Sequence, residues 1–333
     1  MSTAAIVGML LGAAAAVGGA AAGSGEATRA GGGVMMGTTG MLQRSMLSYQ
    51  RAQESAADQA AIKFLDATQQ SGKGMLDLFQ LLASQSLGSL QYANPYTMSH
   101  PMPLDRIRDL ERAVEKSPYY NKPDSPDLVL RHQLMQAKLV GFTESPQIVY
   151  QRYPSSNGSL PARYARAIAS YRTGNLKNAL PLIDDLIASQ PANPWFWELK
   201  GQALLEGGRG REAVEPLQRA VKLAPQAGLI QIMLAQALLD GGNAQSADVA
   251  LTALKLAQRT ESDTVQLWRF MALAYGQLGD IPRAELCTAD AALRAGDREL
   301  AVTKAKAVMN KFERGSPEWI RAQDILNFSK VKG

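Results

Sequence analysis

Runs in which Val, Ile and Thr alternate with polar residues are absent from this chain, while Ala and Leu are abundant and aromatics make up 6%. That pattern argues against a sheet and for helices, because β-branched and aromatic residues are the ones that fit a pleated surface. Charged, helix-favouring sequence runs from Leu42 to about Leu87, and Gly72 and Gly74 predict a break between two helices. Asn94, Pro95, Pro101 and Pro103 make 91–104 incompatible with continuous helix, since each proline removes a donor and restricts the residue before it. Helix resumes at Asp105, and the prolines of Tyr119–Pro126 mark the expected domain boundary. The fold class is all-α.

Self-similarity appears between Leu160 and Ala292. Turns of glycine plus a polar residue occur at Gly174-Asn175, Gly208-Arg209, Gly242-Asn243 and Gly279-Asp280, at spacings of 34, 34 and 37 residues. Five residues beyond each glycine stands an alanine: Ala179, Ala213, Ala247 and Ala284. A small residue belongs there if the second helix of a pair is to lie close against the first. Trp197, Gly201, Leu204, Ala213, Leu217, Ala220 and Pro225 form one framework, and Trp268, Ala272, Tyr275, Ala284 and Ala291 repeat it. Period and framework together resemble the tetratricopeptide repeat. That resemblance implies stacked helix pairs forming a superhelix, whose concave surface suits an extended peptide or a partner's helix. Pro126 to Asn157 supplies a further degenerate pair and Asp297 to Phe328 the closing helices.

Residues 1–40 depart from the rest, holding 11 of the chain's 29 glycines and only two charges, Glu26 and Arg29. Ala4–Ala22 is apolar enough to read as a signal peptide or a membrane span. Against both, no Lys or Arg precedes it, Gly and Ala stand where Leu is expected, and Gly31-Gly32-Gly33 follows. The third reading, a mobile or membrane-proximal Gly/Ala-rich hairpin inside a larger domain, fits these features best.

Formal net charge is +5, from 35 Lys+Arg and 30 Asp+Glu with the signs interspersed, which excludes the clustered positive charge that nucleic acid requires. Cys287, the single cysteine, precludes an internal disulfide and a cysteine-based zinc site, and reads as a small buried residue. Glu54 and Asp58 stand four apart, so both project from one helix face; one can bind a cation while the other orients a neighbouring ligand. Spacing alone equally describes a solvated helix face. His100 sits in a proline-stiffened loop, Ser99-His100-Pro101-Met102-Pro103, as an imidazole outside any core; His132, in Leu130-Arg131-His132-Gln133, reads as an ordinary helix-surface residue.

Arg51-Ala52-Gln53-Glu54-Ser55-Ala56-Ala57-Asp58, the segment Ser99 to Ile107 and the repeats behind them together resemble the C-terminal portion of gluzincin zinc metallopeptidases. The similarity is to the periplasmic, tetratricopeptide-bearing kind that assists outer-membrane protein assembly and quality control in Gram-negative bacteria. The resemblance implies Glu54 as a zinc ligand, Asp58 as the carboxylate beside the site, His100 as a regulatory fourth ligand and Arg106 as a site-ordering residue. It implies one zinc ion, a polypeptide substrate or the outer-membrane assembly machinery as partner, and membrane-surface contact through residues 1–40. The domains become 1–40, the Gly/Ala-rich hairpin; 41–120, a partial helical metallopeptidase domain; and 121–333, the repeat domain.

One departure bears on activity. The family's two zinc-binding histidines and general base come from His-Glu-x-x-His, yet this chain has two histidines in all, His100 and His132, and neither belongs to such a motif. Catalytic zinc wants three protein ligands and an open water position. The expectation is an internal start or truncated gene model, a chain inactive by itself, zinc only where the missing segment is present, and a surviving binding function. The alternative is a non-enzymatic exported tetratricopeptide adaptor.

Overall fold

The computed structural model describes residues 49, 52–90, 103–240 and 243–330, and among them every regular element is a helix. The chain divides into two compact units, Met1–Val129 and Leu130–Gly333.

In the first unit lie α1 (52–67), α2 (Lys73–Leu90) and α3 (Pro103–Glu115). Ile107, Leu110 and Val114 follow the helical period and form the buried stripe of α3, while Arg108, Asp109, Glu111 and Arg112 face water. The stripe packs with Ile62 of α1 and Leu76, Phe79 and Ala83 of α2. The break expected near Gly72 falls between Thr68 and Gly72, where Gln69 takes the left-handed φ of 57°. A Cβ on Gly72 would lie 3.1 Å from both methyl carbons of Val114, so the turn is pressed against α3. Ser71 Oγ donates to the Tyr120 carbonyl and Ser117 Oγ to Asp66, tying the turn to the segment after α3.

The second unit carries α4 (Pro126–Thr143) and the short α5 (Pro146–Arg152), then four helix pairs. These are α6 (Leu160–Arg172) with α7 (Leu176–Ser189), α8 (Pro194–Glu206) with α9 (Gly210–Leu223), α10 (Gly228–Leu239) with α11 (Ala244–Glu261), and α12 (Val265–Gln277) with α13 (Ile281–Arg294). Closing helices α14 (Arg298–Met309) and α15 (Pro317–Lys330) follow. The 37-residue interval has a local cause: α11 has 18 residues where α7 and α9 have 14 each.

Turn chemistry sets the period. Gly174 adopts φ 77°, open to glycine at no steric cost, and Asn175 then caps α7 by accepting from the Asn178 N–H. Gly279-Asp280 repeats the device, and so does Gly296-Asp297 before α14, a turn the 34-residue spacing does not reach. Gly242 lies outside the described residues. Ala179, Ala213 and Ala247 are fully buried where the helices of a pair meet, and Ala284 is half-buried. Gly201 permits a tighter approach still: a Cβ on it would stand 2.4 Å from Leu217 Cγ.

A second periodic bond runs through the array. Trp197 Nε1 donates to the Pro191 carbonyl at 2.8 Å, and Trp268 Nε1 to the Ser262 carbonyl at 2.7 Å. At the equivalent place in the pair between them, Gln231 Nε2 donates to the Pro225 carbonyl at 2.6 Å. Each bond staples the start of a first helix to the chain arriving from the preceding pair. At the far end, Asp290 of α13 is 1% exposed and accepts from Arg294 at 2.6 Å and from Arg321 Nε of α15 at 2.9 Å. Arg294 also stacks 4.4 Å from the Trp268 ring centroid, linking this ion cluster to α12, the other helix of the fourth pair.

Candidate functional site

On α1, Glu54 is half-buried and Asp58 is 4% exposed, one turn further along the same face. Both have interaction partners, and a carboxylate as buried as Asp58 needs them to offset its desolvation. Arg106 lies on α3, which shares a core with α1; its side chain, and all of His100, lie outside the described residues. His132 is exposed on α4. Among the described residues no group of three His, Cys, Asp or Glu is placed to hold a metal. Glu54 and Asp58 are two carboxylates on one helix face, which by themselves do not complete the three-ligand set of a catalytic zinc.

The repeat unit offers a different site. The first helices of successive pairs pack on one another, α8 on α10 and α10 on α12, which puts them on the inner side of the stack. Over the first pair that side is covered. Lys138 of α4 donates to Glu198 of α8 at 2.5 Å and lies 5.0 Å from the Trp195 ring centroid, reaching past α6. Accordingly α6 is buried almost all round, through Tyr164, Ala165, Ala167, Ile168, Ala169, Ser170 and Tyr171. The Tyr164 hydroxyl has no hydrogen-bond partner among the described residues, and burial followed by the charge of Glu198 pushes its pKa far up.

Two clefts follow on this side. One, of about 450 Å³, lies where Phe142, Tyr171 and Arg172 face Gln202 and Glu206. Tyr171 donates its hydroxyl to Glu206, and burial, then that bond, raise the phenol pKa so that it stays a donor. Arg172 is tied to the carbonyls of Gly141 and Glu144, at 2.9 and 2.6 Å, so the cleft has no free cation from it. The other, of about 400 Å³, is bounded by Leu205, Gln236, Leu239, Asp240, Phe270, Leu273 and Gln277.

Residues 1–114 match the model of peptidase family M48, and residues 164–228 and 198–259 match that of the tetratricopeptide repeat. The chain joins a peptidase family M48 segment to tetratricopeptide repeats. It is 22% identical over 295 residues to the β-barrel assembly-enhancing protease of Escherichia coli (strain K12), covering 88% of this chain and 60% of that protein. It is 26% identical over 220 residues to the protein of that name from Yersinia pestis, covering 64% of this chain and 44% of the relative. The chain thus spans about 60% of the length of the first of these relatives. A solved structure of YrrB, described as a TPR protein with an unusual peptide-binding site, is 17% identical, with 59% of this chain and 97% of that chain covered at a TM-score of 0.43.

Within the M48 segment, spacing fixes only that Glu54 and Asp58 share a helix face, their candidate roles come from the resemblance, and the structure adds that Asp58 is buried and Glu54 half-buried. Within the repeats, spacing marks Trp197 and Trp268 but misses Gln231, because an amide does not resemble an indole although both carry the same N–H. Position, 34 residues beyond Trp197, is the signal that finds it.

Proposed function

We propose that this chain acts within a zinc metalloendopeptidase system of the Gram-negative periplasm serving outer-membrane β-barrel assembly and quality control, and that its own part is to hold polypeptide in the repeat array. The observation that carries the reading is the union, in one chain, of an M48 segment with helix pairs whose inner side opens from α8 to α12. In this reading Glu54 is a zinc ligand, Asp58 orients a histidine ligand, His100 is a regulatory fourth ligand and Arg106 orders the site. With no His-Glu-x-x-His among its 333 residues, the chain by itself lacks the general base and hydrolyses nothing.

The test uses the purified chain with an unfolded β-barrel polypeptide diluted from urea. Retention of the polypeptide without cleavage, at well under one zinc per chain, is expected. Stoichiometric zinc with cleavage would refute the inactive assignment, and failure to retain polypeptide would refute the holding role. The missing motif also favours a second reading, a non-enzymatic exported adaptor. Glu54→Gln separates the two in cells that supply the His-Glu-x-x-His segment: loss of function supports the metallopeptidase system, unchanged function the adaptor.

A further inference from the structure

The cleft between α8, α10 and α12 is unequal in its chemistry. Leu205, Leu239 and Leu273 give it apolar walls, and the polar atoms among them include more acceptors than the protein satisfies. Gln277 spends its donor on the Leu239 carbonyl at 3.1 Å, leaving its Oε1 buried without a partner. Gln236 on α10 and Asp240 at its C-terminal cap, one turn further on, are both exposed, and no Lys or Arg among the described residues pairs with Asp240. Among the described residues, Asp240 is also the only charged side chain lining the cleft.

Its carboxylate is held in place from behind. A Cβ on Gly210 would come within 2.3 Å of Asp240 Oδ2, so the bare backbone at the start of α9 makes room for it. Arg209, at the N-cap of that helix, provides no side-chain cap, so the partial positive charge of the uncapped N-terminus lies beside this carboxylate. An unpaired carboxylate and an exposed amide beside one apolar slot call for a ligand with several donors, no acceptor and an apolar stem. Lysine and arginine side chains have that combination.

We propose that this cleft is the subsite that receives a basic side chain of the polypeptide held by the array. The proposal rests on the polypeptide-holding reading above and adds its specificity: the stem packs on Leu239 and Leu273, and the cation meets the exposed Asp240 carboxylate. Acidic segments are disfavoured at this point of the groove.

The test is affinity selection from a random heptapeptide library on the immobilised full chain, with sequences read by mass spectrometry. Lys and Arg should be enriched among retained peptides by roughly fivefold, the size of a partly exposed ion pair. Enrichment should disappear with Asp240→Asn, shift to Asp and Glu with Asp240→Lys, and weaken in high salt. Circular dichroism of both variants checks that the exposed substitutions leave the helices intact. Retained peptides without basic enrichment, or an enrichment that Asp240→Asn leaves unchanged, would overturn the subsite and leave polypeptide holding standing. If no peptide is retained, both fall.

Discussion

Removing the Asp290 carboxylate should loosen the end of the array and little else. Asp290 is 1% exposed and joins Arg294 on its own helix to Arg321 on α15. Breaking a buried ion pair by deleting one partner costs about 3–5 kcal/mol, chiefly by stranding the other charge. Here the arginine side chains are 16% and 37% exposed, so water recovers part of that, and Asp290→Ala should cost about 2–4 kcal/mol. Because each pair in a repeat array touches only its neighbours, the loss should be local. Hydrogen exchange resolved by peptide is therefore the assay. Amides of α14 and α15 should lose protection by roughly 30- to 700-fold, the equivalent of that energy. Asp290→Asn, which keeps one acceptor, should lose less. Unchanged exchange in α15, or an equal loss across α6–α9, would refute the reasoning.

Other consequences are equally open to measurement. Gly201→Ala places a methyl 2.4 Å from Leu217 Cγ, and Leu217 is fully buried; overpacking of about 1–3 kcal/mol should exceed the ~1 kcal/mol of helix propensity gained, lowering the urea midpoint. A raised midpoint would show that α8 and α9 separate freely. Burial pushes the Cys287 thiol up to about 12, so a disulfide thiol reagent at neutral pH should label it only as the chain unfolds, and rapid labelling of native protein would contradict its placement. Glu318, held below its usual 4.5 first by a backbone N–H at the start of α15 and then by Arg283, contributes stability above that value which is lost as pH falls through the lowered one. Glu318→Gln should flatten the acid side of the pH–stability curve, and an unaltered curve would show that the pair contributes nothing.

How much of this was legible in the residues follows from the range over which each feature acts. A glycine turn and an alanine five residues on are local, so the four pairs could be read from Gly174, Gly208, Gly242 and Gly279. The Gly296-Asp297 turn uses the same chemistry, but α14 follows α13 after half a period and escapes a search at 34. Lys138 and Glu198 are separated in sequence by three intervening helices, α5, α6 and α7, and nothing near either residue signals that they meet over α6. Asp290 and Arg321 pose the same problem, since an ion pair across 31 residues leaves no spacing to recognise. On α1, a four-residue interval fixes that Glu54 and Asp58 share a face, whereas the burial of Asp58 depends on what packs over it. His100, the least local of the expected site residues, lies outside the described residues.

Photocrosslinking places the binding surface most directly. A crosslinking amino acid at Gln236 or Leu273, on the inner side of α10 and α12, is compared with one at Val249 or Leu256, exposed on α11. With an unfolded β-barrel polypeptide present, adducts should form from the inner positions alone. Adducts of equal yield from α11, or from α11 only, would contradict the account.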